Sequence, residues 1–208
     1  MTGATLPPTV GLILAGGLAR RMGGGDKALK ILAGRTILAH VVGRLGEQCD
    51  SLLLNANGDP ARFAACGLLV VADTVPDFAG PLAGILAGLD WLAGHRPDTA
   101  WLLSVAADTP FIPTDLAARL HRARIAAGVP LACAASAGQA HHAIGLWPVS
   151  LREELRQALA TGERKISRWT QAQGVAVAEW PAEPFDPFFN INSPEDLVEA
   201  ERLAGLPI

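Results

Sequence analysis

Short apolar runs alternate with longer helical patterns along the chain, and this alternation constrains the fold more than any other feature of the sequence. The apolar runs, each of five or six residues, lie at 10–15, 51–55, 68–72 and 101–105. The helical patterns that follow them lie at 36–49, 81–93 and 114–127. Buried strands alternating with helices are typical of a mostly parallel sheet with helices on both faces. We therefore predict an α/β fold.

The second half of the chain is less regular, and shorter patterns predict its elements. The expected strands are 131–136, 143–147 and 175–179, with a turn over 137–142 between the first two. The expected helices are 150–160 and 165–173. No repeat, linker or low-complexity segment divides the chain, so we expect a single domain over 1–208.

Capping residues indicate where two of the helices begin. Thr114 is the predicted N-cap of the helix over 114–127, because its hydroxyl can accept a hydrogen bond from the first turn. Ser193, followed by Pro194 and Asp196, predicts a capping box at the start of a final helix.

Composition excludes several classes of protein. Half of the residues are hydrophobic and 18% are charged, which excludes an intrinsically disordered chain. The net charge of −3 argues against a nucleic-acid-binding protein, which would normally be basic. No apolar run approaches the roughly 20 residues of a membrane span, and residues 1–10 lack the basic residues of a secretory signal. The widely spaced Cys49, Cys66 and Cys133 are expected as core residues of a cytoplasmic protein.

A glycine-rich segment directly follows the first predicted strand. Residues 14–27 read LAGGLARRMGGGDK, which places Arg20, Arg21 and Lys27 among glycines. Glycines expose backbone N–H groups to an oxygen-rich ligand, and open α/β sheets bind ligands at the carboxyl ends of their strands. The segment is neither a GxxxxGKS/T loop nor a GxGxxG dinucleotide motif. We predict a phosphate-binding loop, the alternative being a flexible turn with solvated arginines.

The same loop, written LAGG-x3-RMGG-x-DK, resembles the signature of nucleotidyltransferases that move a nucleoside monophosphate onto a phosphorylated acceptor. Within them the chain is similar to the molybdenum cofactor guanylyltransferase family. The motifs that carry this resemblance, in chain order, are NAN (55–57), D-x6-GPLAG (73–84), DTPFIP (108–113), His142 before an apolar strand, and NIN-SPEDL (190–197). Several motifs in one order are more specific than any of them alone.

The resemblance implies a three-layer α/β/α, Rossmann-like fold of the nucleotide-diphospho-sugar transferase type. It implies a nucleotide-binding N-terminal half, an acceptor-binding C-terminal half, and Mg²⁺ as cofactor. The implied reaction transfers GMP from GTP to the phosphate of Mo-molybdopterin, with release of diphosphate. Transient contacts with cofactor-insertion proteins or apo-molybdoenzymes are implied as well. The candidate nucleotide-binding residues are Leu14, Ala15, Gly16, Gly17, Lys27, Asn55, Asp73 and Asp108, and the candidate catalytic residues are Lys27, Asp108 and Arg21, with Arg20 as the alternative arginine.

Asp108 is the candidate metal ligand. It follows the predicted strand at 101–105, at the same sheet edge as the glycine-rich segment. The Mg²⁺ that accompanies a triphosphate is held by one or two carboxylates together with phosphates and water. We assign Asp108 to Mg²⁺, the alternative being a carboxylate that starts a turn before Pro110.

Asp73 and Asn55 end two neighbouring strands and are candidates for nucleotide contact. A carboxylate can accept hydrogen bonds from the N1–H and the exocyclic amine of guanine, and we hypothesise that Asp73 does so. The alternative is that it caps the end of its strand. The glycines of 80–84, at the start of a predicted helix, either admit the base or ribose or allow the helix to pack on the sheet.

Four polar residues in the second half carry open hypotheses. His141 and His142 are adjacent in a strand and are expected to point to opposite sides, which disfavours a two-histidine metal site. Asn190 and Asn192 are expected to share one face of a strand. They either contact the acceptor or the metal shell, or they cap the final helix.

Two alternative functions remain open. One is another nucleotidyltransferase, acting with CTP or on a sugar phosphate. Cytidylyl members similar to this family tend to carry a second alanine where Gly16 stands, so the resemblance favours guanine. The other is a non-catalytic nucleotide-binding carrier of the cofactor, which would need the glycine-rich segment but not Asp108.

Overall fold

A computed structural model describes residues 6–16, 26–75 and 80–205. The strands are β1 (Thr9–Leu14), β2 (Ile31–Leu32), β3 (Arg35–Thr36), β4 (Ser51–Asn55), β5 (Leu69–Val71), β6 (Trp101–Ala106), β7 (Leu131–Ser136), β8 (Gln139–Pro148) and β9 (Val175–Trp180). The α-helices are α1 (Ile37–Gly46), α2 (Pro81–His95), α3 (Leu116–Ala127), α4 (Arg152–Ala160), α5 (Ile166–Gln173) and α6 (Pro194–Ala204). Single 3-10 turns or longer 3-10 stretches lie at Lys27–Leu29, Pro60–Cys66 and Val149–Leu151.

Seven strands form one mostly parallel sheet in the order β5-β4-β1-β6-β8-β7-β9. Strands β5, β4, β1 and β6 pair in parallel, and so do β7 and β9. Strand β8 runs antiparallel to both of its neighbours. The prediction of a mostly parallel sheet is confirmed, and the short β2-β3 hairpin is an addition that the sequence patterns did not predict.

Two apolar clusters, one on each face of the sheet, make the fold three-layered. On one face α1 and α3 cover the sheet, and on the other α2, α4 and α5 do so. In β1 the side chain of Leu12 joins the second cluster and that of Ile13 joins the first, and both are fully buried. A strand buried on both faces needs apolar residues at successive positions, which explains the unbroken apolar runs in the sequence.

The predicted start of α3 is wrong by one residue. Asp115, not Thr114, occupies the N-cap position, and its side chain makes no capping bond to the first turn. Its carboxylate instead accepts a hydrogen bond from the indole Nε1 of Trp180 at 2.9 Å. A long-range partner therefore replaces the local capping bond that sequence reasoning assumed.

The turn predicted over 137–142 is also wrong in extent. Only Ala137 and Gly138 form the turn, both with positive φ angles of 48° and 74°, and β8 begins at once with Gln139. Two consecutive residues with positive φ give the tight reversal that suits twisted antiparallel strands. The capping box of α6 is confirmed, with the hydroxyl of Ser193 accepting from the backbone N–H of Asp196.

In the ranges that the structure describes, no helix is long and apolar enough to cross a bilayer. The thiols of Cys49, Cys66 and Cys133 are free, the last of them buried. Burial raises the pKa of Cys49 to about 12 and that of Cys133 to about 11, so both remain unreactive thiols at neutral pH.

Candidate active site

The carboxyl ends of four adjacent parallel strands, β5, β4, β1 and β6, bring the predicted site residues to one edge of the sheet. Asp73 follows β5, Asn55 ends β4, Leu14 ends β1, and Asp108 follows β6. Three strand spacings of about 4.8 Å separate the two outer strands, roughly 14 Å in all. The edge is thus long enough to hold different parts of an extended ligand at its two ends.

Residues 15 and 16, at the start of the glycine-rich segment, continue directly from the end of β1. The backbone N–H of Ala15 donates to the carbonyl of Asn55 at 2.9 Å, and the carbonyl of Leu14 accepts from Ala107 at 3.0 Å. Gly16 then emerges exposed at the edge. Gly17, Arg20 and Arg21 lie outside the described residues.

Lys27 and Asp108 meet in an ion pair across 81 residues of sequence. The ammonium of Lys27 also donates to Oδ1 of Asn192 at 2.8 Å. The side chains of Lys27 and Asp108 are 22% and 17% exposed, so both charges face the solvent in part. The structure therefore brings the predicted phosphate-binding lysine and the predicted metal ligand to one point.

The segment 190–192 is hydrogen-bonded to the residues that follow β6. The backbone N–H of Ile191 donates to the carbonyl of Asp108 at 3.0 Å, and the buried hydroxyl of Thr109 donates to Oδ1 of Asn190 at 2.7 Å. The segment is not a strand, so the expected shared strand face of Asn190 and Asn192 is wrong. Irregular backbone lets Asn190 face Thr109 while Asn192 faces Lys27.

Asp73 is held by two asparagine side chains at the other end of the edge. Nδ2 of Asn55 donates to one carboxylate oxygen at 2.9 Å, and Nδ2 of Asn57 donates to the other at 2.8 Å. Oδ1 of Asn57 accepts from the backbone N–H of Asp73 at 2.9 Å. Asn57 belongs to the NAN motif but was not among the predicted site residues. The signal that could have found it is the second amide, two residues after the strand end.

Gly84 in the first turns of α2 has a packing role. A Cβ at this position would lie 2.2 Å from Oδ1 of Asn55 and 2.9 Å from Cδ2 of Leu14. Such distances are far inside van der Waals contact, so the helix reaches the strand ends only because residue 84 has no side chain. Of the two readings of the 80–84 glycines, the contacts of Gly84 support helix–sheet packing.

The chemistry of the Asp108 site fits a divalent metal that a ligand would share. Among the described residues, no group of three or more His, Cys, Asp or Glu side chains is arranged to hold a metal. Mg²⁺ rarely needs such a cage, because it is commonly held by one or two carboxylates with substrate phosphates and water. The Asp108 carboxylate, which is partly exposed and already paired with the cation Lys27, meets this requirement.

His141 and His142 point to opposite sides of β8, as expected. Nε2 of His141 lies 2.7 Å from the hydroxyl of Ser136, and Nδ1 of His142 lies 3.0 Å from that of Thr170 on α5. Burial lowers the pKa of both histidines. They are therefore neutral imidazoles that join neighbouring elements, and neither contacts Lys27 or Asp108 in the described structure.

A cleft among the described residues lies apart from these side chains. It has a volume of about 710 Å³ and is lined by α1, by the residues after Asp108, and by the proline-rich loop that follows β9. Arg35, Arg44 and Trp180 are among its walls, but none of the predicted site residues is. This cleft and the polar side chains at the strand ends are therefore two different surfaces of the protein.

Comparisons with known proteins indicate the family of the chain. The model of the MobA-like NTP transferase domain matches residues 11–177. A molybdenum cofactor guanylyltransferase of Bradyrhizobium sp. is 62% identical over 99% of this chain and 98% of its own length. One of Nitrobacter hamburgensis is 60% identical over 97% of each chain.

Solved structures show the same fold at lower identity. Molybdopterin-guanine dinucleotide biosynthesis protein A from Archaeoglobus fulgidus superposes with a TM-score of 0.71, over 94% of this chain and 98% of that one, at 22% identity. A shared fold, identities near 60% over almost complete chains, and a family model that spans most of the sequence lead to one conclusion: the chain belongs to the molybdenum cofactor guanylyltransferase family, among the MobA-like NTP transferases.

Proposed function

We propose that this chain transfers GMP from GTP to the phosphate of Mo-molybdopterin and releases diphosphate. The observation that carries the proposal is the meeting of Lys27, Asp108 and Asn192 at the carboxyl edge of the sheet. The relatives named as guanylyltransferases supply the identity of the nucleotide and the acceptor. We assign nucleotide binding to the N-terminal half and acceptor binding to the C-terminal half.

The reaction needs charge neutralisation more than a side-chain base. An oxygen of the acceptor phosphate forms the new bond to the α-phosphorus, and the bond from that phosphorus to the bridging oxygen breaks, so the electron pair leaves with diphosphate. Because the attacking phosphate is already an anion, no proton has to be removed from it. Catalysis then depends on holding the two phosphates in line and offsetting their negative charge.

The ammonium of Lys27 is the described group best placed to stabilise the departing diphosphate. Asn192 accepts one of its three N–H bonds and Asp108 a second, which leaves donor capacity for a phosphate oxygen. Mg²⁺, when bound, would supply further positive charge at the phosphates, with Asp108 as its protein ligand. Arg21 is proposed as an assisting cation.

At the opposite end of the edge, Asp73 is proposed to accept hydrogen bonds from guanine. Its carboxylate is half-buried and held in place by Asn55 and Asn57. Asp73→Asn replaces one acceptor with a donor, and we expect it to weaken GTP binding by at least about tenfold. Isothermal titration with GTP measures this loss, and unchanged affinity would remove Asp73 from the nucleotide site.

The experiment that tests the function is diphosphate release from purified protein with Mo-molybdopterin and each of GTP, CTP, ATP and UTP. We expect GTP to be used with a kcat/KM at least about 100-fold above that of CTP, because a site built for one set of hydrogen-bonding groups leaves polar atoms unpaired with another. Comparable turnover of CTP would make the chain a cytidylyltransferase and contradict the proposal.

A variant of Asp108 separates an enzyme from a nucleotide carrier. Asp108→Asn is expected to lose most metal-dependent turnover, with Asp98→Asn, an exposed carboxylate at the opposite edge, as the matched control. A protein that binds GTP but releases no diphosphate, before and after either substitution, would be a carrier.

A further inference from the structure

The carboxylate of Asp73 is oriented by its neighbours and not by its own backbone. Asn57 forms two hydrogen bonds with Asp73: its Nδ2 donates to Oδ2 of the carboxylate, and its Oδ1 accepts from the Asp73 backbone N–H. Asn55 donates to Oδ1 from an Nδ2 that also bonds the carbonyl of Val71 at 3.1 Å. Each carboxylate oxygen therefore accepts one hydrogen bond from an amide side chain.

These contacts leave the carboxylate with acceptor capacity to spare. A carboxylate has about four lone-pair sites, two on each oxygen. The two amides occupy one site on each oxygen, so one further site remains on each. Two free acceptors side by side match the two neighbouring donors of guanine, N1–H and the exocyclic amine.

The backbone of Asn57 is hydrogen-bonded to Arg62, which lies in the 3-10 stretch Pro60–Cys66. The guanidinium of Arg62 donates to the carbonyl of Asn57 at 2.7 Å. Its Nε lies 3.0 Å from a carboxylate oxygen of Asp26, the residue directly before Lys27. A continuous chain of contacts thus runs from Asp26 through Arg62 and Asn57 to Asp73.

We propose that Asn57 and Arg62 are positioning residues for guanine recognition. Asn57 sets the orientation of the Asp73 carboxylate, and Arg62 couples that orientation to the segment that carries Lys27. Neither residue needs to touch the nucleotide. The inference rests on the proposed contact between Asp73 and guanine, and it adds the two residues that make this contact specific.

The physical reason is the freedom of an exposed carboxylate. Without Asn57, the Asp73 side chain can rotate and its oxygens are satisfied by water, so GTP would have to order the carboxylate as well as bind it. Asn57 is exposed and the Arg62 side chain is 34% exposed, so water can replace either lost contact at little cost in folding free energy. The two roles, in binding and in folding, can therefore be measured separately.

The experiment compares Asn57→Ala and Arg62→Met with two matched controls, Gln171→Ala and Arg122→Met, which are exposed residues on α5 and α3. We expect Asn57→Ala to raise the KM for GTP about tenfold with kcat within a factor of two. Arg62→Met should raise it about threefold. The controls should leave both constants unchanged, and thermal unfolding should show all four variants folded.

Two further measurements distinguish positioning from a general loss of binding. The kcat/KM preference for GTP over inosine triphosphate, which lacks the exocyclic amine, should shrink in Asn57→Ala. The double variant Asn57→Ala/Asp73→Ala should bind GTP no more weakly than Asp73→Ala alone, because Asn57 acts through Asp73. Additive losses in the double variant, or an unchanged preference over inosine triphosphate, would overturn the proposal.

Failure of the proposed function would look different. If Asp73→Ala binds GTP as well as the unaltered chain, both the guanine contact and the positioning role are wrong. If Asp73→Ala loses affinity while Asn57→Ala does not, the guanine contact stands and the positioning role alone is overturned.

Discussion

Polar side chains lie at both ends of the central strands, but the two groups differ in their burial. At the amino end, His121 is 1% exposed and its Nε2 lies 3.0 Å from the hydroxyl of Thr9. That hydroxyl donates to the carbonyl of Pro7 at 2.8 Å, and Nε of Arg124 donates to the other ring nitrogen of His121 at 3.3 Å. At the carboxyl end, Lys27 and Asp108 form an ion pair that remains partly exposed.

The difference in burial distinguishes a cluster that stabilises the fold from a pair that a ligand can reach. The amino-end cluster consists of Thr9, His121 and Arg124. The neutral ring of His121 donates a hydrogen bond from Nε2 and accepts one at Nδ1, so it has no group left for a ligand. The carboxyl-end pair is open, with donor and acceptor sites free for a ligand. Buried hydrogen-bonded groups are costly to disturb, whereas an ion pair that water can still reach contributes less to folding.

The strongest test of this contrast is Lys27→Ala. Turnover is expected to fall by about 100- to 1,000-fold, because the substitution removes a cation that stabilises charge at the departing diphosphate. The free energy of unfolding should change by no more than about 1 kcal/mol. Lys30→Ala, three residues further on, is the matched control and should keep normal turnover. Near-normal turnover in Lys27→Ala, or a large loss of stability, would contradict a role of Lys27 in function but not in folding.

The amino-end cluster predicts a dependence of stability on pH. Burial, and then the nearby Arg124 guanidinium, lower the pKa of His121 to about 4, from an ordinary value of 6.5. Between these values the unfolded chain binds a proton that the folded chain excludes, so the free energy of unfolding falls as the pH falls, by at most about 3 kcal/mol. Above pH 6.5 this contribution is fully present.

Urea unfolding at a series of pH values measures this slope. His121→Gln keeps a donor for Thr9 but cannot take up a proton, and it should flatten the slope between pH 6.5 and 4. His95→Gln, at an exposed position near the end of α2, is the control and should retain it. An equal slope in the unaltered chain and in His121→Gln would show that the buried cluster is not the cause.

Two glycines of α2, one near each end of the helix, allow the same comparison with smaller expected effects. Gly84→Ala would drive a Cβ into Asn55 at the carboxyl end, and we expect a loss of about 1–3 kcal/mol together with weaker GTP binding. Gly94→Ala, at the other end of α2, meets no atom within 4 Å and should stabilise the protein by up to about 1 kcal/mol. Thermal unfolding and GTP titration check both, and equal effects would show that close packing at Gly84 is unimportant.

Features that depend on residues close in sequence could be predicted, whereas features that depend on long-range contacts could not. The capping box at Ser193 was predictable because its partners lie within four residues. The start of α3 was not, because Asp115 bonds Trp180, 65 residues away. The role of Asn57 was not predictable for the same reason: its partner Asp73 is 16 residues distant and follows the neighbouring strand β5.

The sequence by itself determined the alternation of strands and helices, the mostly parallel sheet and the edge at which a ligand would bind, since these follow from local apolar patterns and from the shared direction of parallel strands. Only the tertiary structure decided which side chains meet at that edge. The contacts of Lys27 with Asp108 and Asn192 join segments 81 and 165 residues apart. Such contacts arise from strand order and loop path, which no local pattern encodes.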